Sequence, residues 1–164
     1  MTSTEAILRI VIIGCSATLI MDIWLLFLKR IGVQTLNIAL IGRWVGHLFR
    51  GTIAHESIAK ASPIAHEALL GWITHYAVGI AFALLLIGVA GTTWMHAPSM
   101  AVAVLIGIGT VAFPLLIMQP AMGLGVAASK TATPARNRIR SLINHAVFGF
   151  GLFLSACFIE WASR

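Results

Sequence analysis

One aspartate occurs in the chain, Asp22, and it stands inside an apolar run, as do His75 and His145. Carboxylate and imidazole are the groups that exchange protons or hold metals inside membranes, so these three residues and Gln119 carry the first candidate chemistry. His75 lies in the frame Gly71-x3-His75-x3-Gly79, which puts an imidazole and two glycines on one helical stripe. Asp22 ends a similar stripe, Gly14-x3-Thr18-x3-Asp22, and Gly149, Ala156 and Glu160 fall roughly on the stripe of His145. Small residues let helices approach closely, so each polar group is expected to face another helix rather than lipid.

The elements that position these residues follow from composition. With 59% hydrophobic and 10% charged residues, the chain is far from the soluble balance and would aggregate in water. Residues 1–164 read as a single all-α transmembrane domain, a polytopic four-helix bundle with an additional interfacial amphipathic helix between helices 1 and 2. The membrane helices are expected at about 6–28, 63–90, 100–118 and 141–161, each near bilayer length. Ser62 and Pro63 supply a cap and first turn for the second. Gly107, Gly109 and Pro114 predict close packing and a kink in the third. At about 36–50, Leu40, Ile41, Trp44, Val45 and Leu48 alternate with Arg43, His47 and Arg50 at helical period. This pattern suits a helix lying at the membrane surface, with anionic lipids expected at Arg43 and Arg50.

Charge sets the orientation. The formal net charge is +6, but the basic residues lie at the ends and joints of apolar runs, which reads as topology rather than nucleic-acid binding. Lys29 to Lys60 holds five basic residues and Lys130 to Arg140 holds four, whereas the stretch between the second and third helices has none. Both basic segments are therefore expected on the cytoplasmic side of the membrane, with both termini outside. In that orientation Asp22, His75, Met118, Gln119 and His145 share the cytoplasmic third, within one or two helical turns in height. An aspartate stranded in hydrocarbon is costly, so a shared Asp22–histidine cluster is expected.

Three chemistries fit such a cluster: interhelical hydrogen bonding alone, a proton or small-solute transport site, or a cofactor site. In the last, His75 and His145 would ligate a haem, or would hold a metal ion together with Asp22. Weaker metal candidates are His55-Glu56 and His66-Glu67, which lack the HExxH spacing. The reading without a cofactor remains the simplest. No nucleophile–base, GxSxG or phosphate-loop pattern points to an enzyme. Cys15 and Cys157, at different expected depths, read as small apolar fillers without a disulfide. Four short helices enclose little space, so a transporter of this size is expected to form a homo-oligomer or to join a larger membrane complex, with Gly107, Gly149 and Gly151 as packing surfaces.

The motifs Met21-Asp22-x-Trp24, Gly71-Trp72-x2-His75-Tyr76 and His145-x2-Phe148-Gly149-x-Gly151-Leu152 resemble those of a family of uncharacterised bacterial integral membrane proteins, a domain of unknown function. The resemblance covers nearly the whole chain. It implies a bacterial four-helix membrane protein and brings no activity, substrate or catalytic residue.

Overall fold

Helix α1, Ser3–Arg30, begins three residues before the apolar period because Thr2 caps it, its hydroxyl accepting the Glu5 N–H at 3.2 Å. Glu5 in the first turn and Lys29 and Arg30 in the last complement the helix dipole. At 1.5 Å per residue α1 is about 42 Å long, against a hydrocarbon core of roughly 30 Å, so its charged ends can clear the apolar layer. The computed structural model describes residues 2–163.

Helix α2, Ile38–Leu48, is capped by Asn37, whose side-chain oxygen accepts the Ala39 N–H at 3.0 Å. It buries Ile41, Gly42, Trp44 and Gly46. Helix α3, Glu67–Ala90, starts later than Pro63 suggests. Residues 62–64 are irregular and His66 takes a φ of 58°, while the Glu67 carboxylate accepts the Ile64 N–H at 3.2 Å and closes the entry turn. Pro63 therefore belongs to the loop, and the cap expected from Ser62 is replaced by Glu67 reaching back.

The third apolar run, Met100–Ala121, loses its regular helical bonding at Pro114, where a kink was expected. Helix α4, Met100–Gly109, gives way to a turn at Thr110 and Val111. A wider helical turn, Pro114–Met118, follows, in which the Gln119 N–H reaches the Pro114 carbonyl five residues back, and the short α5, Gln119–Ala121, ends the run. Proline explains the break: Pro114 has no N–H for the Thr110 carbonyl, and its ring crowds that same carbonyl. Helix α6, Pro134–Ala162, begins well before Ser141 because proline is preset for a first helical turn. Its early arginines oppose the helix dipole, and bonds from Arg138 to the Ala127 carbonyl at 2.7 Å and from Arg140 to the Gln34 carbonyl at 3.3 Å offset that.

The chain is thus all-α. Four apolar spans, Ser3–Arg30, Glu67–Ala90, Met100–Ala121 and Pro134–Ala162, are long enough to cross a membrane, and α2 is a shorter helix between the first two. At most 33% of any span's apolar window is buried within the protein, so most of each span presents hydrocarbon side chains outward, as lipid requires.

Contacts gather into two units. The first comprises the described residues up to Val33, Tyr76–Thr110 and those from Ile143 onward. Ile13, Ala17, Leu86, Met95 and Leu152 form the centre of its core. Its helices cross at glycines: a Cβ at Gly14 would lie 2.6 Å from the Ile80 Cα, one at Gly149 2.6 Å from the Ala103 carbonyl, and one at Gly151 3.1 Å from the Ala17 Cα. Gly107, Gly149 and Gly151, expected to offer surfaces to a second copy, are occupied by these crossings inside the chain. The second unit comprises Gln34–His75 and Val111–Leu142, with Ile41, Trp44, Ile58, Met118 and Met122 at its centre.

Candidate functional site

The first unit contains a layer of polar side chains contributed by four helices. On α1, Asp22 accepts the Tyr76 hydroxyl of α3 at 3.0 Å. Two residues further on, the Trp24 indole donates to the Asn144 side-chain oxygen of α6, also at 3.0 Å. The next residue on α6, His145, meets Thr110 at the end of α4, with Nδ1 2.8 Å from Oγ1. Phe82 of α3 lies against the His145 ring, centroids 6.2 Å apart.

Hydrogen-bond accounting fixes the tautomer of His145. The Thr110 hydroxyl has one proton, and the Gly107 carbonyl takes it at 2.6 Å. The ring must therefore be the donor toward Thr110, which places the proton of the neutral imidazole on Nδ1 and a lone pair on Nε2. Thr110 and Gly107 lie where α4 ends, so the ring sits against a helix C-terminus. Asp22, by contrast, accepts from a neutral phenol, the Tyr76 hydroxyl.

In the second unit the polar groups serve a different end. Arg43 grips Glu67 with a bidentate pair, Nε to Oε2 and Nη2 to Oε1, each 2.8 Å, and its Nη1 reaches the carbonyls of Ile58, Ala59 and Ala61 at 3.1–3.3 Å. The Glu67 hydrogen bond holds the Arg43 pKa above its already high ordinary value. Arg43 was expected to meet lipid headgroups, and its donors instead point into the protein; Arg50 is exposed. His47 bonds to the Ser62 carbonyl through Nε2 at 3.0 Å and to His55 Nε2 through Nδ1 at 2.7 Å. Since the carbonyl needs a donor, His47 carries its proton on Nε2 and accepts from His55, whose own Nδ1 is buried without a hydrogen-bond partner.

Of the residues singled out from sequence, Asp22 and His145 fall in the first unit and His75 and Gln119 in the second. His75 packs edge-on against Trp72, centroids 5.8 Å apart, and Gln119 is buried with its Oε1 unbonded. Glu67 is engaged by Arg43 and His55 by His47, and among the described residues no three of His, Cys, Asp or Glu gather in a way that could hold a metal ion. Cys15 and Cys157 are free thiols.

Sequence reasoning passed over four members of the layer: Trp24, Tyr76, Thr110 and Asn144. Three had a signal. Tyr76 is the only tyrosine in the chain and adjoins His75, Trp24 follows Asp22 by two, and Asn144 precedes His145. Thr110 had none until Pro114 placed the break at its carbonyl. Also missed was Arg9, buried in the first span and paired with Glu160 at 3.3 Å.

No curated protein and no solved structure matches this chain. A family model does match residues 11–159, nearly the full length. This all-α chain with four apolar spans thus belongs to the family described as "Protein of unknown function (DUF2938)".

Proposed function

We propose that the polar layer of the first unit is a titratable transport site, at which this protein passes protons, alone or with a small polar solute, across a bacterial inner membrane. The supporting observation is the interrupted span. Non-helical backbone at membrane depth is tolerated where it is buried in protein or lines a water-filled path, and broken helices recur at ion and substrate sites. Here the break ends at Thr110, whose hydroxyl and the His145 ring hold the freed end of α4.

The chemistry follows from the tautomer. A proton arriving at His145 Nε2 makes an imidazolium whose Nδ1–H still donates to Thr110, so protonation breaks no hydrogen bond. Asp22, held by Tyr76, is the second exchangeable group and the local counter-charge of the layer. The two basic segments support an orientation with both termini periplasmic and the layer toward the cytoplasm, and the exposed Arg50 supports a contact with anionic headgroups.

Purified protein in liposomes carrying an internal pH dye tests the reading. A pH gradient should dissipate faster than in empty liposomes, and the difference should vanish in His145→Asn and Asp22→Asn. Dissipation no faster than in empty liposomes, or unchanged in both variants, overturns it.

A further inference from the structure

Two histidines of the second unit face each other ring to ring. His47, near the end of α2, and His55, in the irregular segment that follows, bring Nδ1 and Nε2 to 2.7 Å, with ring centroids 4.9 Å apart. Because His47 Nε2 donates to the Ser62 carbonyl at 3.0 Å, its Nδ1 has only a lone pair to offer, and His55 must be the donor between the rings. His55 Nδ1 is then a bare nitrogen, buried without a partner.

This arrangement suits two neutral rings and no others. One added proton leaves a single lone pair, which must lie between the rings, so an N–H appears on His55 Nδ1, where no acceptor waits. A second proton sets two N–H groups and two positive charges head to head, and the contact is lost. The closed pair therefore holds fewer protons than the separated rings. Neighbouring charges leave that sign unchanged. Glu67 of α3 interacts electrostatically with His47, but both of its oxygens are taken at 2.8 Å by Arg43, one turn earlier on α2. Arg50, Glu56 and Lys60 are exposed, and residues 119–123, against which the segment packs, contain no titratable side chain.

What the pair holds in place is the end of the third apolar run. The His55 N–H donates to the Ala121 carbonyl at 2.8 Å and the Ile58 N–H to the Met122 carbonyl at 3.0 Å, while a Cβ at Gly123 would strike the Glu56 carbonyl. Trp44 anchors this segment at Ile53 and Arg43 anchors it from Ile58 onward. Between those anchors, the His47–His55 bond is what fastens it to α2.

We propose that His47 and His55 form a proton-operated latch, which binds residues 54–57 to α2 and to the end of α5 when both rings are neutral and releases them on acidification. The latch lies within the second unit and does not depend on the transport reading. Since closing excludes protons, it is strongest above the ordinary histidine range and weakens as pH falls through that range. Amide hydrogen exchange at His55 and Ile58, in detergent-purified protein and corrected for the intrinsic rate at each pH, tests it. Excluding one proton should speed exchange at both amides about thirtyfold between pH 8 and pH 5, while the amides of α2 keep their protection. His55→Gln, whose amide can donate to His47 Nδ1 or turn its oxygen to accept from it, should exchange slowly at both pH values. Unchanged protection in the wild type would overturn the proposal. So would acid opening that persists in His55→Gln, which would assign it to another group, or opening that spreads to α2, which would be general acid unfolding.

Discussion

In the first unit Tyr76, Trp24 and His145 carry hydrogen bonds from one helix to another, whereas in the second Arg43, Trp44 and His47 aim theirs at the backbone of a single irregular segment. The Trp44 indole takes the Ile53 carbonyl at 2.9 Å, Arg43 takes Ile58, Ala59 and Ala61, and His47 takes Ser62. Helix α2 therefore acts as a comb of donors for a stretch whose carbonyls have no helical partners. The layer in the first unit holds already satisfied helices at a fixed spacing, and the glycine crossings share that task. The two arrangements should fail differently: loss of Arg43 in the second unit strands three carbonyls at once, whereas loss of a donor in the first strands a single group.

Arg43→Met is accordingly expected to give the largest loss of stability among these variants. It removes five hydrogen bonds, leaves the Glu67 carboxylate without its counter-charge, and frees residues 58–61 from α2. Arg43→Lys should recover only part of the loss, because an ammonium cannot form the bidentate pair. Thermal unfolding in detergent, together with proteolysis between α2 and α3, measures both. An Arg43→Met protein that unfolds with the wild type would remove the contrast between the units.

Gly149→Leu comes next. Its Cβ would press on the Ala103 carbonyl, which cannot move without shifting α4, so overpacking should cost about 1–3 kcal/mol. An equal effect from Gly88→Leu, where nothing lies within 4 Å of a Cβ, would show that helix propensity and not the crossing is at issue.

These two cases also mark what the sequence could and could not reveal. Apolar runs and the glycine stripes were legible because a bilayer imposes length and because close crossings admit only small residues, so the four spans and the inward faces of Gly14, Gly79 and Gly149 follow from spacing. Asp22 and His145 were legible as costly groups in hydrocarbon. Their partners were not, since Tyr76 and Thr110 are ordinary in an apolar run and gain meaning only from the rotation of their helices. Arg43 was misread for a related reason: periodicity places it on a polar face, and only the path of residues 52–62 decides whether that face meets water, lipid or carbonyls.

Within the layer, Thr110→Val keeps the shape and removes the hydroxyl that joins the Gly107 carbonyl to His145. Two hydrogen bonds are lost and the freed end of α4 is left uncapped, for which about 1 kcal/mol is expected. Proton flux should suffer more than stability, because the ring loses the contact that fixes its Nδ1 proton. If Thr110→Val melts early but carries protons at the wild-type rate, the threonine is a helix cap and not a positioning residue for His145.

The smallest effect belongs to the pair formed by Asp22 and Tyr76. Tyr76→Phe deletes one hydroxyl and leaves the ring, and interhelical hydrogen bonds in membranes average only about 0.6 kcal/mol because the separated helices find other partners. A cycle of Tyr76→Phe, Asp22→Asn and the double variant isolates what a carboxylate adds over an amide oxygen, which can still accept from the phenol, and that coupling should be no larger than this. Its smallness is itself informative. A small coupling is what a layer that does more than hold helices together requires, whereas one several times larger would mark the Asp22–Tyr76 pair as a fixed tie between α1 and α3.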